Sequence, residues 1–144
     1  MTPDAARSRL AAHAHGVLCT LHPERGPDPV PVVYAVTDGG VVGIPVDTVK
    51  PKSSPRLRRE RNLEADPRAS LLVEHWDADD WSRLWWVRAH LVHDPDPSTA
   101  VIDDLVGRLR RAAPQYADAP FHRVLVLRIE SVARGFTATL VEEL

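Results

Sequence analysis

The stretch Ile44 to Trp76, IPVDTVKPKSSPRLRRERNLEADPRASLLVEHW, decides how the chain reads. Its first residues end a strand that spans Val41 to Val46. Ser54-Pro55 then marks a helix start, because a capping hydroxyl precedes a residue whose missing N–H costs nothing at the first helical position. The helix covers Arg56 to Glu64, and Asp66-Pro67 stops it, since proline pushes the residue before it out of the helical region. Ala69 to Trp76 follows as a strongly apolar strand. Lys50, Lys52, Arg56, Arg58, Arg59 and Arg61 make up a third of the 18 Lys and Arg, with Glu60 as their one acidic neighbour. In a chain of formal net charge −2 at pH 7, so local an excess points to an anionic ligand rather than a general polyanion surface. Two readings of these cations stand side by side. They are a solvated helix face, or they form a phosphate site where Lys50, Lys52 and free helix N–H groups converge.

Outward from this stretch, the rest of the chain reads as β-rich. Thirteen prolines against seven glycines suit turns and edge strands, not a helical bundle. Thr2-Pro3 starts a helix that ends near Gly16, with Ala6, Leu10 and His13 on one face. Val17 to Leu21 is a strand, His22 to Pro29 a turn-rich connection, and Val30 to Val36 the returning strand, with Pro31 marking an edge or bulge. Thr37-Asp38-Gly39-Gly40 supplies the next tight turn. Leu84 to His93 is a strand that places Trp85 and Trp86 on opposite faces, so that at most one of them faces the core. Trp76 and Trp81 complete a cluster of four tryptophans within eleven residues, which marks a core, an interface or a ligand wall. Asp96-Pro97 caps a third helix, whose stripe of Val101, Ile102, Leu105, Leu109 and Ala112 lies against the outside of the sheet. Arg123 to Ser131 is the last long strand. Altogether this is a barrel of about six largely antiparallel strands.

At 144 residues, the expectation is a single domain over 1–144 with one core. No apolar run approaches the ~20 residues that span a bilayer, so no membrane partner is expected. The N-terminal residues lack the pattern of a secretory signal, which makes the cytoplasm the expected location. Cys19, the single cysteine, excludes an intrachain disulfide. A pI near 6.4 and one short basic patch argue against nucleic-acid binding. The chain has no Gly-x-Gly-x-x-Gly fingerprint, no P-loop and no Gly-x-Ser-x-Gly elbow. His90 and His93, three apart on a strand, face opposite sides, so no metal is expected. A barrel with an anion-binding loop and nearby aromatics suits a cofactor that bears a phosphate and a flat ring, and such a cofactor brings its own redox chemistry.

The order of these pieces resembles one family. Val46-Asp47-Thr48-x-Lys50-x-Lys52, the basic helix, Arg61-Asn62-Leu63-x-x-Asp66-Pro67-Arg68-Ala69, the strand to Trp76, and Trp86-Val87-Arg88-Ala89 are similar to the pyridoxamine 5′-phosphate oxidase-like flavin and deazaflavin oxidoreductases. Within them, the chain resembles the branch that uses coenzyme F420. The resemblance implies a mainly β, antiparallel split β-barrel with flanking helices, the FMN-binding split-barrel fold. It also implies a homodimer with cofactor sites along the subunit interface, and coenzyme F420 as cofactor, with FMN as the alternative. Carried over by position, Thr48, Lys50 and Lys52 hold the cofactor phosphate, and Arg56 and Arg61 serve the phosphate or an acidic tail. Pro31 to Val33 and Ile44 to Val46, Val33 and Val46 among them, bring backbone to the ring, while Trp86 and Arg88 reach a cofactor, often the partner subunit's. Hydride transfer to a small electrophilic organic substrate is the implied reaction, with a non-catalytic binding protein as its competitor. No proton donor is assigned: Tyr34 and His75 are candidates by type, and solvent is an equal candidate. The ending LVEEL lacks the arginine-rich close of pyridoxamine phosphate oxidase itself, which argues against vitamin B6 as substrate.

Overall fold

The computed structural model describes residues 1–46, 57–116 and 123–136. In chain order its elements are α1 (Pro3–Ala12), β1 (His15–His22), β2 (Gly26–Val33), β3 (Ala35–Val36), β4 (Val41–Val46), α2 (Arg58–Ala65), β5 (Arg68–His75), β6 (Trp85–Asp94), α3 (Thr99–Ala112) and β7 (Arg123–Phe136). The seven strands form one sheet in the order β2-β1-β5-β6-β7-β4-β3, and every pairing is antiparallel. Strands β2 and β3 lie at opposite ends of that order, yet only Tyr34 separates them in the chain. The sheet must therefore curl until its two edges meet. This is the expected antiparallel split barrel, with seven strands where the sequence suggested about six.

Alternation fixes what fills the barrel. Leu18 and Thr20 of β1, Leu71 and Val73 of β5, and Val87, Ala89 and Leu91 of β6 are buried, while their neighbours Val17, Leu72 and Arg88 face outward. Ala6 and Leu10 of α1 plug the same core. Tyr34, fully buried at the seam between β2 and β3, donates its hydroxyl proton to the Leu10 carbonyl at 2.5 Å. Burial pushes its pKa up. The phenol is thus a structural tie, not a proton donor to a ligand. On the outside of the barrel, α3 packs Leu105 and Leu109 against Ala35 and Val126. Gly43 of β4 makes that approach possible, since a Cβ there would lie 2.8 Å from Leu105 Cδ1.

Several boundaries differ from the sequence reading. Helix α1 stops at Ala12, with His13 extended at φ −96° and ψ 153°. Gly16 is not its stop signal but a strand residue pressed against β5, where a Cβ would sit 2.7 Å from the Leu72 carbonyl oxygen. Strand β2 begins at Gly26, inside the segment expected to be a turn, and it carries Pro27, Pro29 and Pro31 opposite Leu21, Cys19 and Val17. Prolines two apart share one orientation. All three imide nitrogens therefore fall at positions that donate nothing to β1, which only an edge strand tolerates. The cap of α3 is Ser98, whose Oγ accepts from the Val101 N–H, and Ala112 is exposed where Ala113 is buried. Strand β7 runs on to Phe136 instead of ending near Ser131. Its pairing with β6 shifts register between His90 and Leu91, leaving Glu130 as the extra residue of a bulge.

Candidate functional site

Two hollows hold the chemistry, and α2 organises the first. The Glu60 carboxylate reaches back to accept the Leu57 N–H at 3.0 Å, then grips Arg123 of β7 through two bonds of 2.8 Å. Asn62, 1% exposed, donates to Thr20 Oγ1 at 2.9 Å and to Asp28 Oδ2 at 3.0 Å. Leu63 beside it enters the barrel core. The Asn-Leu pair therefore pins the helix to β1 and β2, and it does so through protein partners. Arg58 and Arg59 stand four and three residues before Asn62, on the adjoining turn. They line a cleft of about 410 Å³ with Arg25, Asp28, Thr20 and Leu57.

Electrostatics in this cleft favours an anion. Arg25 pairs with Asp28 at 3.2 Å. The Asn62 hydrogen bond, helped by Arg25, holds the Asp28 carboxyl below the usual carboxylate range. Half-buried Arg59 has no hydrogen-bond partner for Nε among the described residues, and burial pulls its pKa down against the opposing charge of Glu60. A buried guanidinium donor without an acceptor is costly, so an oxyanion in the cleft relieves it.

The second hollow is aromatic. On the outer face of β5 and β6, a cleft of about 320 Å³ is lined by Leu72, Glu74, Trp76, Leu84, Trp86 and Arg88, with His75 and Trp85 at its edge. Trp86 lies across β7 over Gly135, only 8% exposed, and its indole N–H has no partner among the described residues. The Arg88 guanidinium stands 5.3 Å from that ring. Trp85 points the other way, as alternation requires, and packs against the core. Arg9 lies 4.6 Å over its ring, His75 stacks on it, and His13 meets it edge-on. Trp76 and Trp81 pair at 5.8 Å and stay 59% and 55% exposed.

Of the residues singled out in the sequence, Thr48, Lys50, Lys52 and Arg56 lie outside the described residues. Trp86 and Arg88 come together in the aromatic cleft. Arg61 is exposed on α2. Val46 is buried in the barrel and Val33 packs beneath α3, so only their backbones remain for a ligand. Arg25 is not singled out in the sequence, and Arg58 and Arg59 figure there among the six cations but not among the site residues implied by the family resemblance. A signal for the latter two was present: their spacing from Asn62 puts them one turn away from the residue that locks the helix.

The fold is thus an antiparallel split barrel with an arginine-lined cleft beside its basic helix. The family model described as pyridoxamine 5′-phosphate oxidase matches residues 2–134, and the chain belongs to that family. None of the curated proteins matches it. Among solved structures it is similar to the conserved hypothetical protein Rv2991 of Mycobacterium tuberculosis (18% identity, 98% of this chain and 88% of that one, TM-score 0.71). It is also similar to an FMN-binding protein of Syntrophomonas wolfei (15%, 92% and 84%, 0.67). A third likeness is to HutZ, the heme storage protein of Vibrio cholerae (12%, 94% and 97%, 0.62). These identities establish a shared fold. No helix among the described residues is long and apolar enough to cross a membrane.

Proposed function

We propose that the chain is a homodimeric oxidoreductase that binds coenzyme F420 and passes a hydride from the reduced deazaflavin to a small electrophilic organic substrate. The observation that carries this reading is the arginine cleft, where three guanidinium groups line one hollow and one of them keeps an unpartnered buried donor. A cofactor phosphate suits that donor set. Arg58 and Arg59 hold it, and Thr48, Lys50 and Lys52 of the preceding segment add donors. Arg56 and Arg61 give positive charge to an anionic tail. The bound ring supplies the hydride chemistry. Val17 and Leu72, cross-strand neighbours, join Trp76 and Trp81 as the exposed large apolar side chains of the described residues. A second copy laid over this face removes them from water and encloses the aromatic cleft, so that Trp86 and Arg88 border the partner's cofactor and exclude solvent.

A second reading, with FMN as the cofactor, is supported by the same cleft, because FMN also carries a phosphate. Parallel titrations of the cofactor-free protein with oxidised coenzyme F420 and with FMN, followed by tryptophan quenching, separate the two. The expected result is micromolar or tighter binding of the deazaflavin, weakened about tenfold or more by Arg59→Ala, the loss of a charge-assisted bond. Preference for FMN overturns the deazaflavin assignment, and binding of neither overturns both.

A further inference from the structure

We propose that His22, at the end of β1 and in contact with Arg58 beside the arginine cleft, is an anion-binding residue and donates from Nε2 to the same phosphate-type oxyanion as Arg58. The inference rests on the reading that this cleft takes a phosphate. His22 Nδ1 lies 3.1 Å from the Glu24 N–H nitrogen and 3.1 Å from that of Arg25. Backbone amides only donate, so Nδ1 carries the lone pair, and the proton of the neutral ring sits on Nε2. Yet Nε2 is 3.0 Å from Arg58 Nη1, which also only donates. The opposite tautomer lets Nε2 accept from Arg58 but turns an Nδ1–H against two amides, and a doubly protonated ring faces donors on both sides. Every protonation state leaves donor against donor.

An acceptor resting beside Nε2 and Nη1 resolves the conflict by taking a hydrogen bond from each. Among the described residues, three side chains near the cleft already accept bonds from protein donors. Asp28 Oδ2 accepts from Asn62 and Arg25, Thr20 Oγ1 accepts from Asn62, and the Glu60 carboxylate is held by Arg123 and Leu57. Arg59 Nε adds a donor to the same cleft that has no partner among the described residues. The positive charge of Arg25, Arg58 and Arg59 favours an anion as that acceptor. A phosphate monoester or free phosphate has the oxygens to accept from His22, Arg58 and Arg59 together.

The test uses the full chain with 15N-labelled histidine, the His22 resonances being assigned from their loss in His22→Phe. Inorganic phosphate is titrated at constant ionic strength held with KCl. The expected result is an Nε2–H tautomer throughout and a saturable downfield shift of the Nε2 proton. His22→Phe should weaken phosphate binding about tenfold, with His22→Gln, whose amide still donates, falling between. If phosphate leaves the His22 resonances unmoved in the wild type, the proposal fails, whether or not His22→Phe folds. Repeating the titration with FMN and with oxidised coenzyme F420 separates the sources of the oxyanion. Cofactor binding that depends on Arg59 but not on His22 sinks this proposal and spares the cofactor reading. Binding of phosphate through His22 with neither cofactor taken up does the reverse.

Discussion

Replacing Gly135 with alanine tests whether the wall of the aromatic cleft is set from β7. A Cβ at this position would stand 2.4 Å from Trp86 Nε1, 2.6 Å from Cε2 and 2.8 Å from Cζ2. Ordinary contact begins at 3.4 Å, so the nearest atom must retreat by the difference, 1.0 Å. The indole is a rigid plate with two side-chain torsions, and it is 8% exposed under the Arg88 guanidinium. It cannot yield at one edge without tilting as a whole. Overpacking of this kind costs about 1–3 kcal/mol, and tilting lifts the ring into the 320 Å³ hollow that it borders. Urea denaturation measures the first effect, and the near-ultraviolet circular dichroism of the tryptophans reports the second. A double-mutant cycle with Trp86→Val localises the cause: removing the indole should recover most of the penalty, giving a coupling of about 1–3 kcal/mol. The argument is refuted if Gly135→Ala stays within about 0.3 kcal/mol of wild type, or if its cost persists undiminished when Trp86 is gone.

Two further outcomes follow from α2 and the turn behind it. Asn62→Ala removes two bonds made by a buried amide and leaves Thr20 without that donor in the core, so urea denaturation should show a loss of about 2–4 kcal/mol; a loss below about 0.5 kcal/mol would contradict the anchoring role. Arg68, bonded to Asp66 at 2.7 Å, holds that carboxyl down to about 2, so the pair's contribution to stability is full above the unfolded carboxylate value near ~4 and is lost as pH falls through about 2. In Arg68→Ala the Asp66 titration followed by NMR should move up toward the ordinary range but stop below it, because the backbone N–H of residue 68 still donates to Oδ1; an unmoved midpoint would reject the guanidinium as the chief cause.

Much of this fold is legible in the sequence where the local signal and the tertiary demand agree. Strand β4 spans Val41–Val46 as its apolar run and preceding Gly-Gly turn indicate, and Trp85 and Trp86 split between core and outer face as alternation requires. Where they disagree, tertiary structure decides. Pro27 and Pro29 look like a turn because proline breaks regular structure, but with Pro31, which does mark the edge, their spacing of two places every missing donor on the open side of an edge strand. Likewise Gly16 looks like a helix stop, yet it and Gly135 are close approaches, to a backbone oxygen of β5 and to an indole, which no local pattern can announce. The bulge at Glu130 hides the length of β7 because it breaks the alternation a strand is recognised by.

The candidate site divides along the same line. The density of cations between Val46 and Asn62 is the sequence feature behind the proposed anion site, while the direction of the described α2 side chains follows from contacts with distant strands. In the sequence Glu60 is the one acidic neighbour of these cations; in the fold its carboxylate is drawn off by Arg123, 63 residues away, and by the Leu57 N–H. Asn62, the most specific residue of the family-like stretch, meets Thr20 and Asp28 rather than a ligand. Its work is to hold Arg58 and Arg59 at the cleft, and the same amide that fixes the helix bonds Asp28, the carboxylate among the described residues that line that hollow. A motif of this sort specifies a barrel and a helix position, so related chains can share it and still differ in what they bind. In the proposed reading, the choice of ligand falls to the group that α2 leaves without a partner among the described residues, the Arg59 Nε–H donor.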